Sequence, residues 1–266
     1  MTFNSILIFG CGNMGGAMLS GWLAGGLDPA RFTVVDPLVE RAPDGVALLR
    51  AVPDRRFDAV LLGIKPQLLD EVSAALAPAI GAESVLLSIL AGVEVASLAA
   101  RFPAAGAIVR IMPNLAAAIG KSPLGLFGAG LDEAQRRAVD ALLTPLGTAE
   151  WLANEGLLDA VTALAGSGPA FVYRFVAALA EGGAALGLDP AQADRLARAT
   201  VEGAAMLAAA SADDPAVLAR RVTSPGGTTA AGLAVLDQDA ALARLVAATL
   251  KAARDRGAQL AAAARG

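Results

Sequence analysis

The sequence predicts an α/β protein in which a doubly wound parallel sheet is followed by an all-helical half. Short apolar runs alternate with Ala-rich helical patterns through the first half, which is typical of a parallel sheet. Runs such as Ala59-Val60-Leu61-Leu62 are continuously apolar, as expected for strands covered by helices on both faces. The expected strands lie near 4–9, 32–36, 58–63, 84–88 and 107–111, and the expected helices near 13–25, 66–77 and 94–101.

A helix expected at 132–143 lies between apolar runs at 124–127 and 147–151 that could extend this sheet. After about residue 153, β-branched runs give way to long Ala/Leu stretches. Asp189-Pro190 and Asp214-Pro215 indicate two helix starts there. The expected helices of this half are 155–165, 169–187, 190–211, 214–222, 227–236 and 239–264.

We therefore predict a sheet domain over residues 1–153 and a helical domain over residues 154–266. An all-helical half so rich in small apolar residues often packs against a second copy of itself. We expect a homodimer or a larger homo-oligomer, with the helical domain serving dimerisation.

Charge and composition exclude several classes of function. The chain has 21 basic and 25 acidic residues and a net charge of -4, so nucleic acid is not an expected partner. With no histidine and one cysteine, Cys11, it lacks the commonest general acid and the usual ligands of a metal site, and we expect no metal. Chemistry must then come from a cofactor, from hydroxyl groups or from the backbone.

Residues 1–27 carry no charged side chain, and this segment could be mistaken for a membrane or export signal. Glycines interrupt its apolar run, and no Lys or Arg precedes it. The single cysteine gives no reason to expect an oxidising compartment. We expect a cytoplasmic protein that does not enter the membrane.

The first chemical signal is the segment Gly10-Cys11-Gly12-Asn13-Met14-Gly15, between an expected strand and an expected helix. In a Rossmann-type domain the first glycine permits a tight turn, the second lets a pyrophosphate approach the backbone, and the third allows strand and helix to pack closely. We interpret the segment as a dinucleotide-binding loop. The alternative is a Gly-rich turn without a ligand.

Asp36 ends the second expected strand, where an acidic residue can accept hydrogen bonds from the adenosine ribose. This position favours NADH over NADPH. Alternatively, Asp36 caps the turn that begins at Pro37, and Arg41 is close enough in sequence to meet a 2′-phosphate.

Two further segments follow expected strands, Gly63-Ile64-Lys65-Pro66-Gln67 and Arg110-Ile111-Met112-Pro113-Asn114. The carboxyl ends of parallel strands line the ligand crevice, so Lys65 could reach the cofactor or the substrate. The alternative for Lys65 is a solvated residue at the start of a helix.

In the second half, Thr223-Ser224-Pro225-Gly226-Gly227-Thr228-Thr229 leads into a helical pattern. Free amides at a helix start, two glycines and two hydroxyl groups can hold a small carboxylate. The alternative is an ordinary helix start in which Ser224 or Thr228 is the N-cap.

The motifs GCGNMGGA, GIKPQ, RIMPN, LAGSGPAFVY and VTSPGGTTAAGLAVLD, in this order, resemble the pyrroline-5-carboxylate reductase family over nearly the whole chain. The resemblance implies a Rossmann domain, a helical domain that interlocks with a partner subunit, and a proline-sized site where they meet. It also implies a reaction: hydride transfer from NAD(P)H to the C=N bond of 1-pyrroline-5-carboxylate, which gives L-proline.

At matching positions the resemblance implies roles for individual residues. The cofactor contacts that it implies are Gly10, Gly12, Asn13, Met14, Lys65, Pro66 and Asn114. Asp36, from its position after the second expected strand, and Ile64, next to Lys65, complete the predicted cofactor contacts. The substrate contacts would be Gly226, Gly227, Thr228 and Thr229. The candidate catalytic residues are Thr229, whose hydroxyl would bond the ring nitrogen, and Lys65.

The chain departs from the family pattern at Leu115-Ala116, where Thr-Pro is common, and at Lys121, where an acidic residue is common. These changes bear on the shape of the loop and leave the substrate range open. Two other functions are to be tested. A 3-hydroxyacid dehydrogenase would need a catalytic lysine on a later helix, but Lys251 is the only lysine beyond Lys121. A non-catalytic NAD(P)-binding protein would not need the 223–229 segment.

Overall fold

The computed structural model describes residues 2–263, with side chains described as far as Gln259. Contacts divide these residues into two compact units, one of residues 2–166 with 253–263 and one of residues 167–252. Residues 157–166 are helical yet belong to the first unit by their contacts. The division by contacts falls between residues 166 and 167, and the predicted boundary between residues 153 and 154 stays a prediction.

The first unit contains one eight-stranded sheet in the order β3-β2-β1-β4-β5-β6-β7-β8. Its strands are β1 Ile6–Phe9, β2 Phe32–Val35, β3 Ala47–Leu49, β4 Ala59–Leu62, β5 Val85–Ser88, β6 Ala107–Met112, β7 Ser122–Ala129 and β8 Gly147–Trp151. Strands β1 to β6 are parallel to one another. The seven strands predicted from the sequence are all present.

The sheet differs from a purely parallel one at β7, which pairs with β6 in the antiparallel direction, Arg110 opposite Phe127. The connection between them, residues 113–121, is shorter than the roughly dozen residues that a parallel crossover needs. Strand β8 again runs parallel to β7. Strand β3 was not predicted, because an edge strand of three residues leaves little pattern in the sequence.

Helices cover both faces of the sheet. They are α1 Asn13–Ala24, α2 Leu69–Leu76, α3 Val95–Arg101, α4 Glu133–Leu143 and α5 Leu157–Val161. Ile6 and Ile8 of β1 are buried in one apolar cluster with Trp22 of α1, whereas Leu7 is buried in another with Leu98 of α3. Because neighbouring side chains of a strand point to opposite faces, these two clusters are the two helix–sheet interfaces of a doubly wound fold. The predicted fold class is confirmed.

The second unit is helical. Its helices are α6 Gly168–Ala185, α7 Pro190–Ala210, α8 Pro215–Arg221, α9 Thr228–Asp237 and the first part of α10 Ala241–Ala263. Asp189 accepts hydrogen bonds from the amides of Ala191 and Gln192, and Asp214 accepts one from Ala216. Both predicted Asp-Pro helix starts are therefore N-caps.

The second unit buries little of its own apolar surface. Among its described residues, α6, α8 and α9 contain no buried residue, and α7 contains only Ala193 and Ala197. Large apolar side chains stay exposed, among them Tyr173 at 71% and Leu207 at 71%. Exposed apolar area on this scale is typical of a protein interface.

By length and composition, one helical stretch in the described part of the chain could span a membrane, Leu157–Ala185, with a mean hydropathy of 1.3. Length and composition are weak evidence, because apolar helices of soluble proteins satisfy the same test.

Candidate active site

The three glycines of the loop after β1 have three different surroundings. Gly10 has a φ of +89°, and a Cβ there would lie 2.8 Å from the Gly63 carbonyl and from the Ile64 side chain. A Cβ on Gly15 would lie 2.5 Å from the Gly10 carbonyl oxygen, whereas a Cβ on Gly12 would meet nothing within 4 Å. The first and third glycines are thus required for packing, and the second leaves open space for a ligand to approach the backbone.

Helix α1 begins directly beside that open space. Its N-cap is Gly12, no side chain caps it, and its first turn, which includes Asn13 and Met14, carries no acidic residue. The amides of a first helical turn have no partner within the helix and attract negative charge. The loop and the helix start therefore fit the pyrophosphate of a dinucleotide.

Asp36 follows β2 and is buried. Its Oδ2 accepts a hydrogen bond from the Cys11 amide at 2.7 Å. Its Oδ1 accepts hydrogen bonds from the amides of Leu38 at 2.8 Å and Val39 at 3.3 Å. The turn-capping alternative thus describes its contacts, and the same carboxylate also fixes the glycine loop.

The Asp36 carboxylate also affects Cys11. Burial of the thiol, together with the neighbouring negative charge of Asp36, raises the pKa of Cys11 to about 11. The side chain is therefore a neutral thiol near pH 7.

Two arginines lie near the 36–39 turn in different ways. Arg41 pairs with Asp44 at 3.4 Å, and both side chains are almost fully exposed. Arg50 donates from Nη1 to the carbonyl oxygens of Asp36 at 2.8 Å and Val39 at 2.6 Å. Sequence reasoning missed Arg50; the signal that could have found it is the short apolar run Ala47-Leu48-Leu49 just before it, which is β3.

The end of β4 lies against the glycine loop. The Gly63 amide donates to the Phe9 carbonyl at 2.8 Å, and Ile64 borders Gly10. Lys65 comes next, is exposed, and precedes a 3-10 turn that starts at Pro66. The structure thus brings Ile64 next to the loop, with Lys65 and Pro66 following at the same edge of the sheet.

Asn114 follows β6 and is buried. Its side chain donates from Nδ2 to the Ala165 carbonyl at 3.0 Å and accepts at Oδ1 from the Ala116 amide at 2.9 Å. Ala165 lies in a short π-helical turn, Thr162–Gly166. In this structure the Asn114 side chain therefore holds protein segments together, and it starts the 3-10 turn Leu115–Ile119 in which the chain departs from the family pattern.

In the second unit, the predicted carboxylate-binding segment is a glycine turn followed by α9. Gly226 has a φ of +71°, and Gly227 is the N-cap and donates its amide to the Ser224 carbonyl at 3.0 Å. The alternative N-caps, Ser224 and Thr228, are wrong. No side chain caps α9, its first turn has no acidic residue, and Thr228 and Thr229 are exposed there.

Comparison with known proteins supplies the family. A family model described as pyrroline-5-carboxylate reductase dimerisation matches residues 155–260. The pyrroline-5-carboxylate reductase of Pseudomonas aeruginosa is 39% identical to this chain over 271 residues, covering 98% of each. This chain belongs to the pyrroline-5-carboxylate reductase family.

Solved structures of pyrroline-5-carboxylate reductases agree with the fold. The one from Coxiella burnetii is 30% identical, covers 98% of this chain and 99% of its own, and superposes with a TM-score of 0.87. The enzyme from Plasmodium falciparum, solved with NADP bound, is 22% identical, covers 97% of this chain and 98% of its own, and has a TM-score of 0.81. At that identity the second match shows likeness of fold. The resemblance stated from the sequence motifs is confirmed.

Proposed function

We propose that this protein is a pyrroline-5-carboxylate reductase, which transfers hydride from NAD(P)H to the C=N bond of 1-pyrroline-5-carboxylate and so forms L-proline in proline biosynthesis. Membership of the family supports the reaction. The geometric observation that carries the proposal is the open position at Gly12 beside the uncapped start of α1, because a dinucleotide needs both.

The dihydronicotinamide supplies the hydride, and the role of the protein is to bind and orient the reactants. We assign the pyrophosphate to the backbone around Gly10, Gly12, Asn13 and Met14. We assign the nicotinamide side to Ile64, Lys65 and Pro66, which follow β4. Asn114 would shape this side through the contacts of its amide group.

The substrate carboxylate would bind the backbone amides of Gly226, Gly227 and Thr228. The N-terminus of α9 carries partial positive charge and no acidic side chain, which favours an anion. The exposed hydroxyl of Thr229 would bond the ring nitrogen. A cyclic imine is basic enough to arrive protonated or to take a proton from water, so the reaction needs no histidine.

The preference between NADH and NADPH is a separate question. The sequence favours NADH if the Asp36 carboxylate is free to bind the ribose hydroxyl groups. In the structure, backbone amides occupy both of its oxygens. Measuring kcat/KM with each cofactor tests the preference directly.

We also propose a cytoplasmic protein that forms a homodimer or a larger homo-oligomer. The exposed apolar surface of the second unit supports the assembly. That surface lies within the segment matched by the dimerisation family model, residues 155–260. Mass measurement in solution should give a multiple of the chain mass at micromolar concentration. A monodisperse monomer under those conditions would contradict this part of the proposal.

The activity is tested by mixing the purified protein with NADH or NADPH and 1-pyrroline-5-carboxylate, following the loss of nicotinamide absorbance and identifying proline as the product. Activity on a 3-hydroxyacid with NAD, in place of this reaction, would favour the dehydrogenase alternative. Tight dinucleotide binding without turnover of either substrate would favour the non-catalytic alternative.

Thr229→Ala should leave dinucleotide binding unchanged and strongly lower kcat, because the substrate nitrogen loses its hydrogen-bond partner. Thr228→Ala is the matched control, since the proposed contact of Thr228 is its backbone amide, which alanine retains. Equal kinetics for the two variants would refute the role of the Thr229 hydroxyl.

A further inference from the structure

Arg50 lies where a dinucleotide fold recognises the adenosine ribose. Strand β3 pairs with β2 in parallel, with Leu49 opposite Val35, so Arg50 follows β3 beside the Asp36 end of β2. In doubly wound dinucleotide-binding folds, the ribose 2′ position lies near a side chain after the second strand, which is acidic for NAD, while a nearby arginine accommodates the 2′-phosphate of NADP.

The acidic side chain at this edge faces the protein. Asp36 is 8% exposed, and its two oxygens accept three backbone amide hydrogens, from Cys11, Leu38 and Val39. These donors partly compensate its charge and take up three of the roughly four lone-pair sites of a carboxylate. Asp36 therefore gives little reason to reject a phosphate at this edge.

The Arg50 guanidinium is fixed on the rim of the same turn. Its Nη1 bonds the carbonyl oxygens of Asp36 and Val39, which anchors the planar head without neutralising it. Within residues 2–259, Nε and Nη2 have no protein hydrogen-bond partner, and the side chain is exposed. An arginine held in this way offers free donors in the fork geometry that matches phosphate oxygens.

The other candidate cation is less suited. Arg41 is paired with the carboxylate of Asp44, and 86% of its side chain is exposed. A phosphate would have to displace that partner and order a highly exposed side chain.

We infer that Arg50 is a specificity-determining residue that binds the 2′-phosphate of NADPH, and that the enzyme prefers NADPH to NADH. The inference rests on the proposed function, because it concerns the same dinucleotide site. Arg50, rather than Asp36, is then the residue that distinguishes the two cofactors at the ribose. The sequence-based preference for NADH depends on Asp36.

The test compares two small probes that differ by one phosphate, adenosine 2′,5′-bisphosphate and adenosine 5′-phosphate, by calorimetry on the full-length protein without substrate. The wild type should bind the bisphosphate more tightly. Arg50→Gln should weaken that binding by roughly tenfold to a hundredfold, as expected for lost hydrogen bonds between charged groups, and change the affinity for the 5′-phosphate by less than about twofold.

Arg41→Gln is the matched control and should leave both affinities at the wild-type level. Arg50→Lys keeps the positive charge but loses the planar guanidinium group, so its affinity for the bisphosphate should lie between those of Arg50→Gln and the wild type. Thermal unfolding of each variant shows whether the fold is retained. If Arg50→Gln does not fold, the test uses Arg50→Lys instead, and the quantity compared with the wild type is the ratio of its affinities for the bisphosphate and the 5′-phosphate.

Two results would overturn the inference. One is a wild type that binds the bisphosphate no more tightly than the 5′-phosphate. The other is an Arg50 variant that loses affinity for both probes equally, because Arg50 would then only order the turn. Neither result depends on pyrroline-5-carboxylate, so failure of this inference is distinct from failure of the proposed reaction.

Discussion

Gly12 and Gly15 belong to one loop, yet a single added methyl group should have opposite consequences at the two positions. In Gly15→Ala the new Cβ would lie 2.5 Å from the Gly10 carbonyl oxygen, and backbone must move to relieve the contact. In Gly12→Ala it would meet nothing within 4 Å, so the unliganded fold should tolerate it. The methyl group would instead fill the space through which we expect the pyrophosphate to approach.

The magnitudes follow from a matched control in the same helix. A Cβ on Gly16 would lie 3.7 Å from the Cys11 carbonyl oxygen, an ordinary contact, so Gly16→Ala should gain up to about 1 kcal/mol from helix propensity. Gly15→Ala gains the same propensity but carries an overpacking cost of about 1–3 kcal/mol. The two variants should therefore differ by that cost, or by roughly 2–12 °C in Tm at about 2–4 °C per kcal/mol.

Urea unfolding measures the stability of each variant, and titration with NADPH measures its affinity. We expect Gly12→Ala to unfold like the wild type and to bind NADPH at least about tenfold more weakly, a loss of about 1.4 kcal/mol. Wild-type affinity in Gly12→Ala would show that the open space is not the pyrophosphate site. Equal stability of Gly15→Ala and Gly16→Ala would show that the packing at Gly10 is not restrictive.

Three further results are expected. Burial and the charge of Asp36 raise the pKa of Cys11 to about 11, so alkylation of its thiol by iodoacetamide should be slow at pH 8 and accelerate towards pH 11. A midpoint of the rate–pH curve near the usual thiol pKa of about 8.5 would contradict this. Glu155→Gln removes the carboxylate that lies 2.8 Å from Arg110, whose side chain is 8% exposed. It should lower the free energy of unfolding in urea by about 1–3 kcal/mol, and a change below about 0.5 kcal/mol would show that the ion pair contributes little to stability. Asp189→Ala removes the N-cap of α7 and should lower the free energy of unfolding by about 1 kcal/mol, whereas Asp189→Asn keeps a capping oxygen and should retain most of the stability. Equal losses for the two variants would indicate that the cap does not stabilise the helix.

The strand, glycine loop and helix at the N-terminus could be predicted because every signal in them is local. The apolar run, the glycine spacing and the uncharged helix start follow one another within residues 6–24, and the structure shows the three steric roles expected of the glycines. The same holds for Asp189 and Asp214, because an N-cap bonds amides two or three residues away.

The surroundings of the candidate site residues were not predictable in this way. Sequence position suggested that Asp36 and Asn114 face a ligand, but a carboxylate or an amide group bonds whatever donors and acceptors the fold brings near. For Asp36 these include the Cys11 amide, and for Asn114 the Ala165 carbonyl, which is 51 positions away in the chain.

The sequence by itself determined the alternating α/β half, the helical half, the glycine loop and the family, because these depend on periodicity, on spacing and on motifs read along the chain. Only the tertiary structure decided the antiparallel direction of β7, the edge strand β3 and the position of Arg50 on the 36–39 turn. Strand direction and the partners of a long side chain depend on segments that are distant in sequence and become neighbours only when the sheet forms.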